Sequence, residues 1–308
     1  MPPWLVWSLI SFAALVLGIL LVAYVASLRL TNPPDYVHPR EPSFRYTKTP
    51  LTEHGLSFED VAIAVPAAGV VRGWLVPGPS QSDHAVLAVH GRAGDRSAFL
   101  PLVPHLHRAG AAVLLIDLRE NGLSDGAGRG MGLGMREADD IEAAADALRR
   151  KGFKNITVIG CSLGASGALI AASRSRLIDG VVADSALVSI ERFVADQAYR
   201  HMGQFPFGGA ISMTWGKLVT WISRRRLSLS TLTAAEKTIA AISPRPVLLI
   251  HGSEDRAVGE RHASELYTRA QNPKSIWIVA GAGHCGALAA DAEVYAARVM
   301  ELMRLARL

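Results

Sequence analysis

Cysteine is scarce in this chain: 308 residues contain only Cys161 and Cys285. Neither belongs to a C-x-x-C pair or a zinc-ligand spacing, so no zinc site is indicated and no disulfide framework is implied. Each adjoins a residue assigned below to the candidate site, which brings them near in space; both read as small core residues. Nucleotide and metal motifs are also missing. There is no P-loop, no H-E-x-x-H and no EF-hand, and the glycine-rich stretch "GLSDGAGRGMGLG" (122–134) never satisfies G-x-G-x-x-G. It reads as a flexible loop near the site, and no cofactor is implied. Asp117, Asp139 and Asp140 suit solvated or capping roles better than a cation site, so no metal is expected. Charge is thin and unclustered: charged residues are 19% of the chain and the net charge is +5. The single dense basic run, Arg224 to Arg226, has no nucleic-acid-binding signature beside it, which excludes nucleic acid as the expected partner. Such a run suits a solvated face or anionic lipid headgroups. What is abundant is apolar surface, 50% of residues, enough for one large core or two small ones.

The first segment, "WLVWSLISFAALVLGILLVAYVASL" (4–28), has no charged residue. As a helix it spans about 37 Å, more than the roughly 30 Å hydrocarbon core of a bilayer. Trp4, Trp7 and Tyr24 suit the two interfaces. A cleaved signal peptide fits poorly: the stretch is long, no lysine or arginine precedes it, and no clear A-x-A site follows. The expectation is therefore a retained single-pass anchor over residues 1–30. Arg29, Arg40, Arg45 and Lys48 follow the span, which by the positive-inside rule leans the large domain to the cytoplasm. Residues 31–55 are proline-rich at first and read as an extended linker.

From residue 56 onward, short apolar strands alternate with helices. "LSFEDVAIAV" (56–65) and "VVRGWLV" (70–76) form a hairpin pattern turning at 66–69. "HAVLAVH" (84–90) and "AAVLLIDLR" (111–119) flank a helix over 97–110, and a second helix spans 136–152 with acids early and bases late. "NITVIG" (155–160), "GVVADS" (180–185), "PVLLIHG" (246–252) and "SIWIVAG" (275–281) complete eight strand candidates. The pattern predicts an α/β doubly wound, mostly parallel sheet. Within it, "VIGCSLGASG" (158–167) places Ser162 at a strand-to-helix turn. Gly160 and Gly164 leave room for backbone to pass closely there, and the following helix aims its free N–H groups beside the hydroxyl.

These segments resemble the α/β-hydrolase superfamily from about residue 56 to the end, and its membrane-anchored, serine-dependent bacterial members most. The residues that carry the resemblance are "VLAVHGRAGDRSAFLPL", "VLLIDLRENGLSDG", "GCSLG", "VLLIHGSED" and "GAGHCG". The resemblance implies an α/β-hydrolase fold: an eight-stranded mostly parallel sheet with a helical cap insertion, preceded here by one transmembrane helix. The domain then runs over 56–308. The stretch at about 187–242 interrupts the strand–helix rhythm where this superfamily inserts its cap. Its segment "FPFGGAISMTWGKLVTWISRRR" (205–226) suits a lid over a lipophilic substrate, a helix on the membrane surface, or an ordinary amphipathic helix packed on the core.

A serine hydroxyl is a weak nucleophile at neutral pH and needs a base, most often histidine. Of ten histidines, His284 lies on a glycine-flanked loop past the last strand, and the resemblance points to the same residue. His105 and His107 lie on a helix, His251 ends a strand, and His90 with Gly91 shapes the oxyanion loop. The base needs an orienting carboxylate. Asp255, just past a strand, leads; Glu254 beside it and Asp184 at the end of the preceding strand compete. The order Ser162, Asp255, His284 is that of the superfamily. The oxyanion donors expected are the backbone N–H groups of Leu163 and Arg92.

The function expected is a serine hydrolase cleaving an ester, foremost a lipid-like one, a thioester or an amide through an acyl-enzyme. The partners expected are a small-molecule or lipid-like acyl substrate and the membrane, through residues 4–28. A serine aminopeptidase-like enzyme is the enzymatic rival, and a non-catalytic membrane-tethered binding module the rival of another class. Dehalogenase and epoxide hydrolase chemistry would place an aspartate where this chain has Ser162.

Overall fold

The structure, a computed structural model, describes residues 1–32, 44–66, 68–79, 82–126, 128 and 130–306. In chain order it contains α1 (Pro3–Thr31), α2 (Pro50–His54), β1 (Glu59–Val65), β2 (Gly69–Val76), β3 (His84–Val89), a 3₁₀ turn at Arg96–Leu102 leading into α3 (Val103–Arg108), and β4 (Ala112–Ile116). Then follow α4 (Met135–Arg150), β5 (Asn155–Cys161), α5 (Leu163–Arg174), β6 (Gly180–Asp184), α6 (Ile190–Met202), α7 (Gly208–Arg226) and α8 (Ala235–Thr238). A 3₁₀ turn at Ile239–Ile242, β7 (Val247–Gly252), α9 (Arg261–Arg269), β8 (Lys274–Val279), α10 (Ala287–Ala290) and α11 (Ala292–Leu305) complete it. Two compact units emerge, Met1–Pro34 with Ile190–Leu232, and Asp35–Ser189 with Thr233–Leu308.

The larger unit is built on an eight-stranded sheet in the order β1-β2-β4-β3-β5-β6-β7-β8. β1, β2 and β4 pair antiparallel; the remaining pairs are parallel. The central strands carry apolar side chains on both faces, as a sheet covered by helices on both sides requires. Ala85, Leu87 and Val89 of β3 join one core cluster, while Val86 and Ala88 join the other. The alternation repeats in β4, where Ala112, Leu114 and Ile116 face one way and Val113 and Leu115 the other.

The linker expected over 31–55 gives way to folded chain in its second half, its first half lying mostly outside the described residues. Thr49 caps α2 through a reciprocal pair of hydrogen bonds with Thr52. Tyr46 donates its hydroxyl hydrogen bond to the buried carboxylate of Asp117 at 3.0 Å, and its ring meets Trp74 edge-on. Arg96 clamps the same carboxylate through Nε and Nη2 at 2.9 and 2.7 Å and lies over both rings. Residues 44–54 thus extend the sheet domain rather than merely tether it. The glycine-rich stretch is likewise held rather than loose: Glu137 accepts the Gly132 and Gly134 N–H groups, and Asp117 accepts that of Leu123. Residues 127 and 129 lie outside the described set.

The insertion between β6 and β7 is narrower than the expected 187–242. Residues 233–242 belong to the sheet unit, because Ala235, Ile239 and Ile242 are buried in its core and the Glu236 N–H donates to the Val188 carbonyl. The smaller unit is a helical cluster of α1, α6 and α7. Gly216 lets α6 and α7 approach closely: a Cβ there would stand 2.5 Å from the Glu191 carbonyl oxygen. α1 is the one helix among the described residues long and apolar enough to cross a membrane. Its buried positions, Ala23, Ser27 and Thr31, fall four residues apart on one stripe. There the Ser27 and Ser223 hydroxyls lie 2.9 Å apart, and Arg226 Nη1 donates to Ser27 Oγ and Thr31 Oγ1 at 3.0 and 3.2 Å. Hydroxyls at that spacing join α1 to α7.

Candidate active site

Ser162 occupies the junction of β5 and α5 with φ 52° and ψ −112°, a conformation that costs a non-glycine residue free energy. Its N–H donates to the Asp184 carbonyl. The flanking glycines show why no other residue fits. A Cβ on Gly160 would stand 2.5 Å from the Gly164 carbonyl carbon, and one on Gly164 would stand 2.3 Å from the His90 carbonyl oxygen. The turn is pressed between the end of β3 and the first turn of α5, so the Ser162 side chain is left at the carboxyl edge of the sheet.

His284 reaches that edge from the loop after β8. Its Nε2 lies 2.9 Å from Ser162 Oγ and its Nδ1 lies 2.7 Å from Asp255 Oδ2. With the imidazole proton on Nδ1, that N–H donates to the carboxylate and Nε2 accepts from the serine hydroxyl. Asp255, on the loop after β7, is buried. Its Oδ1 accepts the Ala257 and Val258 N–H groups at 2.9 and 2.8 Å. Burial by itself would raise its pKa; hydrogen bonds from His251, His284 and the Val258 N–H outweigh that and hold the carboxyl well below its usual range. The site therefore contains a fixed anion behind the imidazole.

The competitors fall away on geometry. Glu254 is exposed. Asp184 is buried and accepts the Ser185 hydroxyl at 3.0 Å. Burial pushes its pKa up to about 6 against the lowering effect of Ser185 and the neighbouring imidazoles. The pKa values of the two carboxyls near His284 are thus driven apart, one held well below the usual range and one raised to about 6. Of the other histidines, His105 and His107 are half-buried on α3. His90 is buried between Gly91 and Leu118: its Nδ1–H donates to the Gly91 carbonyl at 2.7 Å and its Nε2 accepts the Leu118 N–H at 2.9 Å. Burial lowers its pKa, so it serves as a neutral brace for the loop that carries Arg92. That loop abuts the serine, since a Cβ on Gly91 would stand 3.3 Å from Ser162 Cβ. Leu163 opens α5 and packs with Met131. The acids weighed as cation ligands are ion-paired instead: Asp117 with Arg96, Asp140 with Arg119, Asp139 with Arg174.

Three participants escaped the sequence. His251, buried on β7, lies with Nε2 3.3 Å from Asp255 Oδ2 and 2.8 Å from the Val258 carbonyl oxygen, so it braces the carboxylate from behind. Ser185 joins Asp184 to the base loop by accepting the Cys285 N–H at 3.0 Å. The cysteines are not separate core residues: Cys161 and Cys285 form a disulfide across 124 positions of chain. Their placement beside Ser162 and His284 was the available signal. A hydrogen bond between those two brings their neighbours' Cα atoms to 6.0 Å, within bridging range.

An eight-stranded, mostly parallel sheet with a serine, an imidazole and a buried carboxylate in series at its carboxyl edge has the form of an α/β hydrolase. A sequence model of the alpha/beta hydrolase family matches residues 86–298, and the chain belongs to that family. Two bacterial relatives cover most of the chain. "Uncharacterized protein Rv2307c" of Mycobacterium tuberculosis is 31% identical over 245 residues, 78% of this chain and 75% of its own length. "Uncharacterized protein YfhR" of Escherichia coli (strain K12) is 28% identical over 240 residues, 75% of each chain. The structure of the Pyrococcus furiosus esterase Pf2001 matches with a TM-score of 0.67 at 24% identity, covering 87% of this chain and 98% of that one, a likeness of fold.

Proposed function

We propose that the protein is a membrane-anchored serine hydrolase that cleaves a carboxylic ester, foremost a lipid-like one, through an acyl-enzyme. The observation that carries this reading is the hydrogen-bonded series Ser162 Oγ, His284 Nε2 and Nδ1, Asp255 Oδ2. In the first step Ser162 Oγ attacks the substrate carbonyl carbon and its proton passes to His284 Nε2. Asp255 stabilises the imidazolium so formed without taking the proton. The oxyanion is received by the N–H groups of Leu163 and Arg92 and by the positive end of α5. His284 then returns the proton to the leaving alkoxide, and water repeats the sequence to release the acid.

The anchor reading is supported by α1 itself. Trp4, Trp7, Phe12, Leu15 and Leu21 are each more than 60% exposed, while Ser27 and Thr31 are bonded to α7. A removable leader would take away both hydroxyls to which Arg226 Nη1 donates. In the same unit, Phe205, Phe207 and Ile211 are exposed at the start of α7, and exposed Trp221 lies under the Arg225 guanidinium near its end, a composition that suits a lipid surface and a lipid-like substrate. Orientation follows from two opposed features. The basic residues after the span favour the cytoplasm, whereas a disulfide persists in oxidising compartments. We place the hydrolase domain on the oxidising side, because the bridge adjoins both reacting residues.

The test is labelling of the detergent-solubilised protein by a fluorophosphonate. Wild type is expected to label at Ser162, and labelling is expected to vanish in Ser162→Ala and fall at least a hundredfold in His284→Ala. Absence of labelling in folded wild type would remove the reading. Comparison of p-nitrophenyl acyl esters with aminoacyl p-nitroanilides separates esterase from aminopeptidase.

A further inference from the structure

We propose that the Cys161–Cys285 disulfide is a positioning device for the hydrolytic centre, so that turnover depends on its oxidised state. The inference rests on the serine-hydrolase reading above and adds a requirement that reading does not contain.

The need for such a device follows from the sheet. Ser162 follows β5 and His284 follows β8, with β6 and β7 between them. At ordinary strand spacing the two ends are about 14 Å apart. The loop over 280–286 must therefore lean back across two strands to bring Nε2 within 2.9 Å of Ser162 Oγ. Its first residues are tied to the loop after β7: the Gly281 N–H donates to Ser253 Oγ at 2.9 Å and the Ala282 carbonyl accepts the Glu254 N–H at 2.9 Å. Gly281 and Gly283 have open space where a Cβ would be. Ala282 is buried in the core, and the loop rests there on Gly252, whose Cβ would stand 2.2 Å from the Ala282 carbonyl oxygen. Beyond Ala282, the ties across the sheet among the described residues are the His284 contacts with Asp255 and Ser162, the Cys285 N–H to Ser185 Oγ, and the disulfide. The disulfide alone joins the loop covalently to the nucleophile turn. It leaves the chain one residue before the nucleophile and re-enters one residue after the base, the shortest covalent route between them.

The bridge also lies against the third element of the site. A Cβ on Gly91 would stand 3.3 Å from Cys161 Sγ and 3.2 Å from the Cys161 carbonyl oxygen. The nucleophile turn, the base loop and the loop bearing Arg92 therefore meet at this sulfur pair. Both cysteines are only half-buried, which leaves the bond within reach of a small dithiol. Reduction by dithiothreitol breaks the Sγ–Sγ bond: two electrons and two protons pass to the cysteines, giving two thiols, and the reagent closes to its cyclic disulfide. Nothing covalent then opposes outward motion of the base loop. Since a displacement of about 1 Å at reacting groups costs up to a hundredfold in rate, the loss falls on kcat, whereas substrate binding away from the loop is retained.

The experiment uses the full chain in detergent, with p-nitrophenyl butyrate hydrolysis and fluorophosphonate labelling as readouts. Three samples are compared: wild type as purified, wild type reduced by dithiothreitol, and Cys161→Ala/Cys285→Ala. Free-thiol titration and far-ultraviolet circular dichroism are recorded for each. The expected result is no free thiol in the purified protein and two after reduction, with unchanged dichroism. A fall in kcat of at least tenfold is expected, with KM within twofold, in both the reduced and double-alanine proteins. Reoxidation restores the reduced wild type but not the variant. Two free thiols in the active purified protein overturn the proposal, as does kcat within twofold of wild type after verified reduction. Global unfolding of both reduced and variant protein also overturns it, since the bridge would then be a staple of the whole fold. If oxidised, folded wild type neither labels nor hydrolyses the ester, the serine-hydrolase reading itself fails. If it labels and is indifferent to reduction, only the positioning role does.

Discussion

At the scale of single residues, the site depends on two carboxyls with opposite fates. Asp255 receives N–H groups and imidazoles and stays ionised far below neutral pH. Asp184 is as deeply buried but has one hydroxyl as its hydrogen-bond donor, and its pKa rises to about 6 from an ordinary 3.8. The raised value has a consequence for stability. Between about pH 4 and pH 6 the unfolded chain releases this proton while the folded protein keeps it, so folding weakens as pH rises through that window. The contribution of Asp255 has the opposite sign but lies lower: it is present above about pH 4 and lost below it. Asp184→Asn keeps an acceptor for Ser185 and removes the titration. Its melting temperature, followed by differential scanning fluorimetry from pH 4 to 8, is expected to equal that of wild type near pH 4. Above pH 6.5 it is expected to lie several degrees higher, on the order of 2 kcal/mol. Asp140, also raised to about 6, contributes the same slope to both proteins and cancels in the difference.

At the scale of elements, the helices follow from pattern while their partners do not. The α4 stretch declares itself by acids at its start and arginines at its end, and α5 by the turn that precedes it. α7 presents small and hydroxyl residues, Gly208, Ser212, Gly216, Thr220 and Ser223, to its buried side. Nothing local states whether that side meets the sheet, another chain or α1. The Arg226 fork across Ser27 and Thr31, with the guanidinium 5.5 Å from the Tyr24 ring centroid, supplies the answer. Truncation of this arginine leaves two hydroxyls without their charged donor, a loss of about 1–3 kcal/mol at the α1–α7 seam. In Arg226→Ala, limited trypsin cleavage after Arg224 or Arg225 is expected to accelerate severalfold over wild type, read by mass spectrometry of the fragments. Equal cleavage rates would show that the seam carries no stability.

At the scale of the whole molecule, membrane side and redox chemistry are one question. A chain whose hydrolase domain works with a disulfide between its nucleophile and base loops belongs where thiols stay oxidised. The four basic residues after the span argue the other way. Alkaline phosphatase, which needs an oxidising compartment, fused after Leu308 is expected to be active in cells, and green fluorescent protein at the same point dark. The reverse pair of results would place the domain in the cytoplasm and make the bridge a bond that forms there only under oxidation.

Much of this protein was legible from residue order alone. Eight strands, their alternation with helices and the Ser162 turn are written in local pattern, because β-branched runs, helix caps and paired glycines act over a few residues. Ser162, His284 and Asp255 could be offered as candidates because strand ends and the loops that follow them are also local features, and because their order is that of the superfamily the motifs resemble. What lay beyond reach was everything set by distance in space. The docking of Tyr46 on Asp117, the bracing of Asp255 by His251, the raised pKa of Asp184, the α1–α7 seam and the bond between Cys161 and Cys285 each depend on residues that only the fold brings together. Burial decides a carboxyl's charge and proximity decides a cysteine's partner, and neither quantity exists until the sheet has ordered its strands.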